Sequence, residues 1–177
     1  MRRFLDTLYD GAGYLAGMCV LGIFVLMIGA SVGRELGWRV GGTNDIVAWL
    51  CAAAAFLALA HTFRFGDFVR VTLLLEKLSP PVVRVFEIAA LTIAAVAVGY
   101  LAFWAGKFTL ESWRLHDMAG GMVAIPIWIP QSSFVAGAVL FFVAVIDELV
   151  NVLRGAVPTY VRLTAERHAR GDFSEDV

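Results

Sequence analysis

Charge is what this sequence has least of. Only 16% of its 177 residues are Asp, Glu, Lys or Arg, against about 25% in ordinary soluble domains. A chain so poor in polar surface cannot cover a water-soluble globule. Its 60% hydrophobic content and mean hydropathy of +0.79 point to a lipid environment. Cysteine is nearly absent. Cys19 and Cys51 both fall in apolar runs and no Cys-x-x-Cys pair exists, so both read as packing residues and thiol–disulfide chemistry has no candidate site. Of the histidines His61, His116 and His168, only His61 lies in an apolar run. A membrane haem held on paired axial histidines therefore has no obvious site. The bland reading of His61 is an interfacial residue bonded to a carbonyl or headgroup. Cys/His metal spacing, a Ser–His–Asp set, a phosphate-cradling glycine loop and nucleic-acid signatures are all missing.

What the sequence does have is four long apolar runs. The first covers residues 11–33 without a charge, about 34 Å as a helix, enough for a hydrocarbon core of about 30 Å. Arg2 and Arg3 resemble the start of a signal peptide, but this run exceeds the usual apolar core of about 7–15 residues. A retained first helix is the preferred reading. The second span is 46–63, opened by Thr43 or Asn44 as a cap and rich in alanine, which lets another helix approach closely. The third is 82–106, entered through Pro80 and Pro81, with Tyr100 and Trp104 near its far end as interfacial aromatics. Arg84 and Glu87 are spaced to pair on one face of it. The fourth, 130–148, follows a Pro-divided stretch. Pro126 and Pro130 predict that residues 120–129 are partly extended, dipping into the interface with Trp128 as anchor.

The connections carry the charge. Residues 64–79 place Phe68, Val71, Leu75 and Leu78 at helical spacing with Arg70 and Lys77 elsewhere, the pattern of a short amphipathic helix lying in the interface. Residues 107–117 read as an external connection, Asp147 and Glu148 as the exit of the fourth span, and 155–177 as a polar tail. Ten Lys and Arg flank one side of the four spans and four the other, so the positive-inside rule puts both termini in the cytoplasm. The expected fold is an all-α integral membrane domain of four transmembrane helices, N-in and C-in, with the interfacial helix between the second and third.

No Asp, Glu, Lys or Arg lies deep in any run. A charge at mid-bilayer costs about 2.5–3.5 kcal/mol or more and marks ion or substrate pathways, so autonomous transport is disfavoured. Ser132 and Ser133 suit helix–helix hydrogen bonding, and Gly17, Gly22, Gly29 and Gly137 suit close helix approach. This is the equipment of an accessory subunit without catalytic groups. A haem- or quinone-binding anchor of a respiratory complex is the alternative.

Two stretches resemble the small membrane subunit of tripartite ATP-independent periplasmic (TRAP) transporters. In residues 44–78, Trp49, Phe56, Ala60, Arg64, Gly66, Arg70 and Val71 match a pattern like Ala-x-x-x-Arg-x-Gly-x-His-x-Arg-Val behind a Trp- and Phe-bearing helix. Phe68 replaces the usual His, so no role for that imidazole carries over. In residues 125–141, Pro126, Trp128, Pro130 and Gly137 match the Pro-x-Trp-x-Pro opening of a fourth helix, with Gln131 and Val135 where Tyr and Pro are common. The resemblance implies a bacterial inner-membrane protein and a large multi-spanning partner subunit that carries the substrate and Na⁺ sites. It also implies a periplasmic binding protein that delivers an organic acid. No cofactor is expected in this chain. Trp49, Arg64, Gly66, Arg70, Arg84, Glu87, Pro126, Trp128, Pro130 and Gly137 are the expected partner and lipid interface, with Arg64 and Arg70 on headgroups. Arg39, Lys107, Glu111 and Arg114 are outward-facing charges, for which plain solvation is the preferred reading and contact with the binding protein the alternative.

Overall fold

A computed structural model describes residues 2–38, 41–65 and 80–155. They form four helices: α1, Arg2–Glu35; α2, Thr43–Phe65; α3, Pro80–Leu115; and α4, Trp128–Leu153. All four are long and apolar enough to cross a membrane. The expectation of an all-helical chain with four spans holds. The expected interfacial helix at 64–79 and the tail at 155–177 lie almost wholly outside the described residues.

The helices overrun their apolar runs. α3 has 36 residues, about 54 Å, so the stretch from Lys107 to Leu115, read from its charges as a connection, continues the helix. Lys107 and Glu111 pair one turn apart at 3.9 Å, and the Lys107 ammonium sits 4.8 Å above the Trp104 ring. α4 begins at Trp128, two residues before the expected Pro130. Pro130 thus falls in the first turn, where its missing N–H costs no helical bond.

The four helices stand in an open row, in the order α1, α2, α4, α3. Neighbouring contacts fix their directions. Asp6 meets Arg64 and Gly13 meets His61, so α1 and α2 are antiparallel. Gly99 faces Phe142 and Arg84 reaches Val152, so α3 and α4 are antiparallel as well. In the middle, Phe56 lies against Gly137 and Arg64 against Asp147, so α2 and α4 run parallel. Two hairpins therefore stand side by side, joined through their second helices. One end of the row holds the start of α1 and the end of α4, and is called the termini end here; the other is the loop end.

Small residues make the row. The buried apolar positions include Ala12, Ala16, Ala53, Ala54, Ala60, Ala138 and Ala144, as expected where lipid tails remove the hydrophobic drive and close packing has to hold helices together. The tightest crossing is at Gly137. A Cβ there would sit 2.5 Å from the carbonyl carbon of Phe56 and 2.8 Å from the amide nitrogen of Leu57. Only glycine lets the two backbones meet this closely. The edge-to-face rings of Phe56–Phe134 and Phe63–Phe141 flank the crossing. The outer faces remain apolar and bare, with Met18, Leu21 and Phe24 on α1 and Ile93, Val96 and Phe103 on α3 all exposed.

At the loop end the α3–α4 connection folds back. His116 takes a positive φ of 55°, and Met118 pairs with Pro126 in an isolated antiparallel bridge. Ala119 N–H donates to Ile125 O at 2.8 Å and Ile127 N–H to Asp117 O at 3.0 Å. The expected partly extended segment is present in this form. It docks on α2, where the Met122 N–H donates to the Asp45 carboxylate at 2.8 Å. Gly121 lies so close to that carboxylate that a side chain would collide with it.

Candidate functional site

The densest polar constellation lies at the termini end, around Arg64. Its position follows from the chain: Arg64 closes the last turn of α2, Asp6 stands in the first turns of α1, and Asp147 and Glu148 lie in the last turns of α4. Arg64 Nη2 donates to Asp6 Oδ1 at 3.0 Å and Nε to the same oxygen at 3.2 Å. Nη1 lies 3.4 Å from Asp147 Oδ2 and 3.6 Å from Glu148 Oε2. The Arg64 side chain is 10% exposed and that of Glu148 only 3%. One guanidinium thus ties three helices together, which suits its five fixed donors.

Further polar groups close the cluster. His61 Nδ1 lies 3.7 Å from Asp10 Oδ1, and the imidazole packs on Gly13, where a Cβ would come within 2.9 Å of the ring. Tyr9 is fully buried and packs with Ala60 and Ala144 beneath Leu5, Phe63, Leu140 and Phe141. The Tyr9 hydroxyl has no hydrogen-bond partner among the described residues. Asn151 is buried one turn beyond Asp147 and Glu148.

This differs from the arrangement anticipated from sequence. The sequence pattern places Arg64 on lipid headgroups, whereas its donors reach carboxylates on two other helices. Asp147 and Glu148 were read as markers of an exit, yet Glu148 is among the most deeply buried side chains of the protein. His61 faces a carboxylate, where a carbonyl or headgroup was expected. The available signal is modest: Asp6 and Asp10 stand one helical turn apart at the same end as Arg64, and like charges at that spacing repel unless a cation offsets them.

The other anticipated residues scatter. Arg84 was paired with Glu87, but its Nη2 donates to Val152 O at 3.3 Å and Leu153 O at 3.4 Å. It therefore bonds carbonyls in the last turn of α4, a place that favours a cation. Ser132 and Ser133 do not make the helix–helix bonds that the sequence suggests. Both donate to carbonyls of their own first turn, Ile129 O at 2.6 Å and Pro130 O at 2.7 Å. Gly137 is a close-approach glycine as anticipated, but its neighbour is this chain's own α2. Trp49 lies on α2 at the loop end, in a pocket with Pro130. Pro126 and Trp128 bracket the start of α4. Gly66 and Arg70 lie outside the described residues.

Among the described residues no three His, Cys, Asp or Glu side chains are arranged to hold a metal. His61 and His116 stand at opposite ends of the row, so they cannot share one haem iron. The two cysteines are free.

A row of four apolar helices, joined by ion pairs at one end and by glycine crossings in the middle, defines a multi-pass integral membrane protein. The chain belongs to the DctQ component of the tripartite ATP-independent periplasmic transporters, whose family model matches residues 12–155. A comparison with curated proteins found no match. That family is a transporter component and not an enzyme family. It implies a bacterial inner-membrane location, and association with a large membrane subunit and a periplasmic binding protein. It lends no support to the respiratory-anchor alternative.

Proposed function

We propose that this chain is the static scaffold of its transporter. On this reading it braces a large Na⁺-coupled subunit that moves an organic acid received from a periplasmic binding protein. The observation that carries the reading is the Arg64 cluster. A subunit that moved its helices against one another during transport would have to break the ion pairs joining α1, α2 and α4 in each cycle. Removing one partner from a buried pair costs about 3–5 kcal/mol. A scaffold keeps them closed.

The positive-inside count supports N-in, C-in topology. The Arg64 cluster then lies at the cytoplasmic face, and the Lys107–Leu115 extension of α3 reaches toward the periplasm and the binding protein. Arg70 and the 64–79 segment contribute an interfacial anchor to anionic lipid, where each basic residue is worth about 1 kcal/mol. Substrate and Na⁺ sites belong to the large subunit, and this chain holds no cofactor of its own.

The test is purification of the chain from its native membrane in mild detergent, with mass spectrometry and an absorbance scan. A large multi-spanning protein at near one-to-one ratio, in a colourless preparation, is the expected result. A chain that comes alone, or a Soret band, would overturn the reading.

A further inference from the structure

Tyr9 of α1 is 0% exposed, yet its hydroxyl has no hydrogen-bond partner among the described residues. The ring is held between Ala60 of α2 and Ala144 of α4, with Phe63, Leu140 and Phe141 around it. These neighbours give the ring its contacts and the hydroxyl nothing. A buried hydroxyl left unpaired is costly, and buried polar groups in folded proteins are paired with protein or with ordered water.

The hydroxyl stands beside the acidic cluster, within electrostatic reach of Asp147, Arg64 and Asp6. The guanidinium does not saturate these carboxylates. Its Nη1 is 3.4 Å from Asp147 Oδ2 and 3.6 Å from Glu148 Oε2, whereas a full charge-assisted bond is about 2.7–2.9 Å long. A carboxylate accepts about four hydrogen bonds, so Asp147 has room for a further donor.

Access selects what bridges the two groups. The Tyr9 side chain is closed off from the surface, so neither a lipid headgroup nor a partner's side chain reaches its hydroxyl. A bare cation would sit beside the Arg64 charge, and no three acidic side chains among the described residues are arranged to hold one. A water molecule is small enough, and it accepts from one group while donating to another. We propose that one buried water accepts from the Tyr9 hydroxyl and donates to the Asp147 carboxylate. It ties α1 to α4, the two helices that flank α2, alongside the Arg64 ion pairs. This tie is independent of what the chain does within its transporter.

The experiment uses the small and large subunits purified together. Tyr9→Phe removes the hydroxyl and keeps the ring. The equilibrium constant for denaturant unfolding of this chain should rise about fivefold, the size of one hydrogen bond. A Phe variant as stable as the parent, or more stable, overturns the proposal, because deleting an orphaned hydroxyl relieves a burden. In an Asp147→Ala background the same change should have almost no effect. An undiminished effect there means that the hydroxyl is bound elsewhere, and the bridge fails. A high-resolution map of the complex should show one small density about 2.8 Å from both Tyr9 Oη and an Asp147 oxygen. A hydroxyl resting on the carboxylate itself rules the water out. So does a stabilisation by added Na⁺ that disappears in Tyr9→Phe, since the occupant would then be the ion.

Discussion

The two ends of the row are held by different means. At the termini end a single guanidinium meets three carboxylates, and two of those charges are almost completely removed from solvent. At the loop end the α3–α4 connection rests on α2 through one backbone N–H on the Asp45 carboxylate and the absence of a side chain at Gly121. The first arrangement is strong and discriminating, since removing the guanidinium strands the buried Glu148 carboxylate. The second is local and adaptable.

Substitution can break that contrast, and the largest effect is expected at Arg64. Arg64→Met should cost about 3–5 kcal/mol, read as a large loss of thermal stability of the detergent-solubilised complex. The double change Arg64→Met with Glu148→Met should recover part of that loss, because it removes the buried charge left alone. A double variant no better than the single one would show that the cluster does not act through charge. Next comes the central crossing. Gly137→Leu drives a side chain into the backbone of Phe56 and should cost about 1–3 kcal/mol as an overpacking change, with α2 and α4 separating in a disulfide-crosslinking assay. At the loop end, Asp45→Ala should cost about 1 kcal/mol, one hydrogen bond. Its effect should appear as faster amide exchange confined to residues 117–127, with the termini end unchanged. Smallest of all, Lys107→Ala should shift stability by less than about 0.5 kcal/mol, since the pair with Glu111 is half exposed and helical pairs of this spacing contribute little.

The four spans were legible because lipid imposes a simple rule: about twenty residues without charge. The order of the helices was not. In lipid a helix is apolar on every side, so its sequence does not mark the face that meets a neighbour, and neither the row nor the parallel α2–α4 pair can be read from periodicity. Arg64 shows the same limit. Its importance was visible in its motif and position, but its partners stand 58 and 83 residues away, and only the packing of α1 and α4 against α2 brings them within reach. The overrun of α3 was hidden for another reason. Lys107, Glu111 and Arg114 have the composition of a connection, and only the four-residue interval between Lys107 and Glu111 speaks for a helix. Gly137 was legible as a small residue and illegible as an internal contact, since a glycine in a membrane helix advertises close approach without naming what approaches.

Those sequence separations also set an order of events as the chain is made. Asp6 precedes Arg64 by 58 residues, so it is already in the membrane region when Arg64 emerges, and it offers the guanidinium a first partner within the α1–α2 hairpin. Asp147 arrives 83 residues later, with the second hairpin. Asp147 and Glu148 complete the cluster and, with the Gly137 crossing, join the two hairpins. The second hairpin is thereby directed to one place beside the first, so a guanidinium at the end of α2 acts as the address at which the rest of the protein docks.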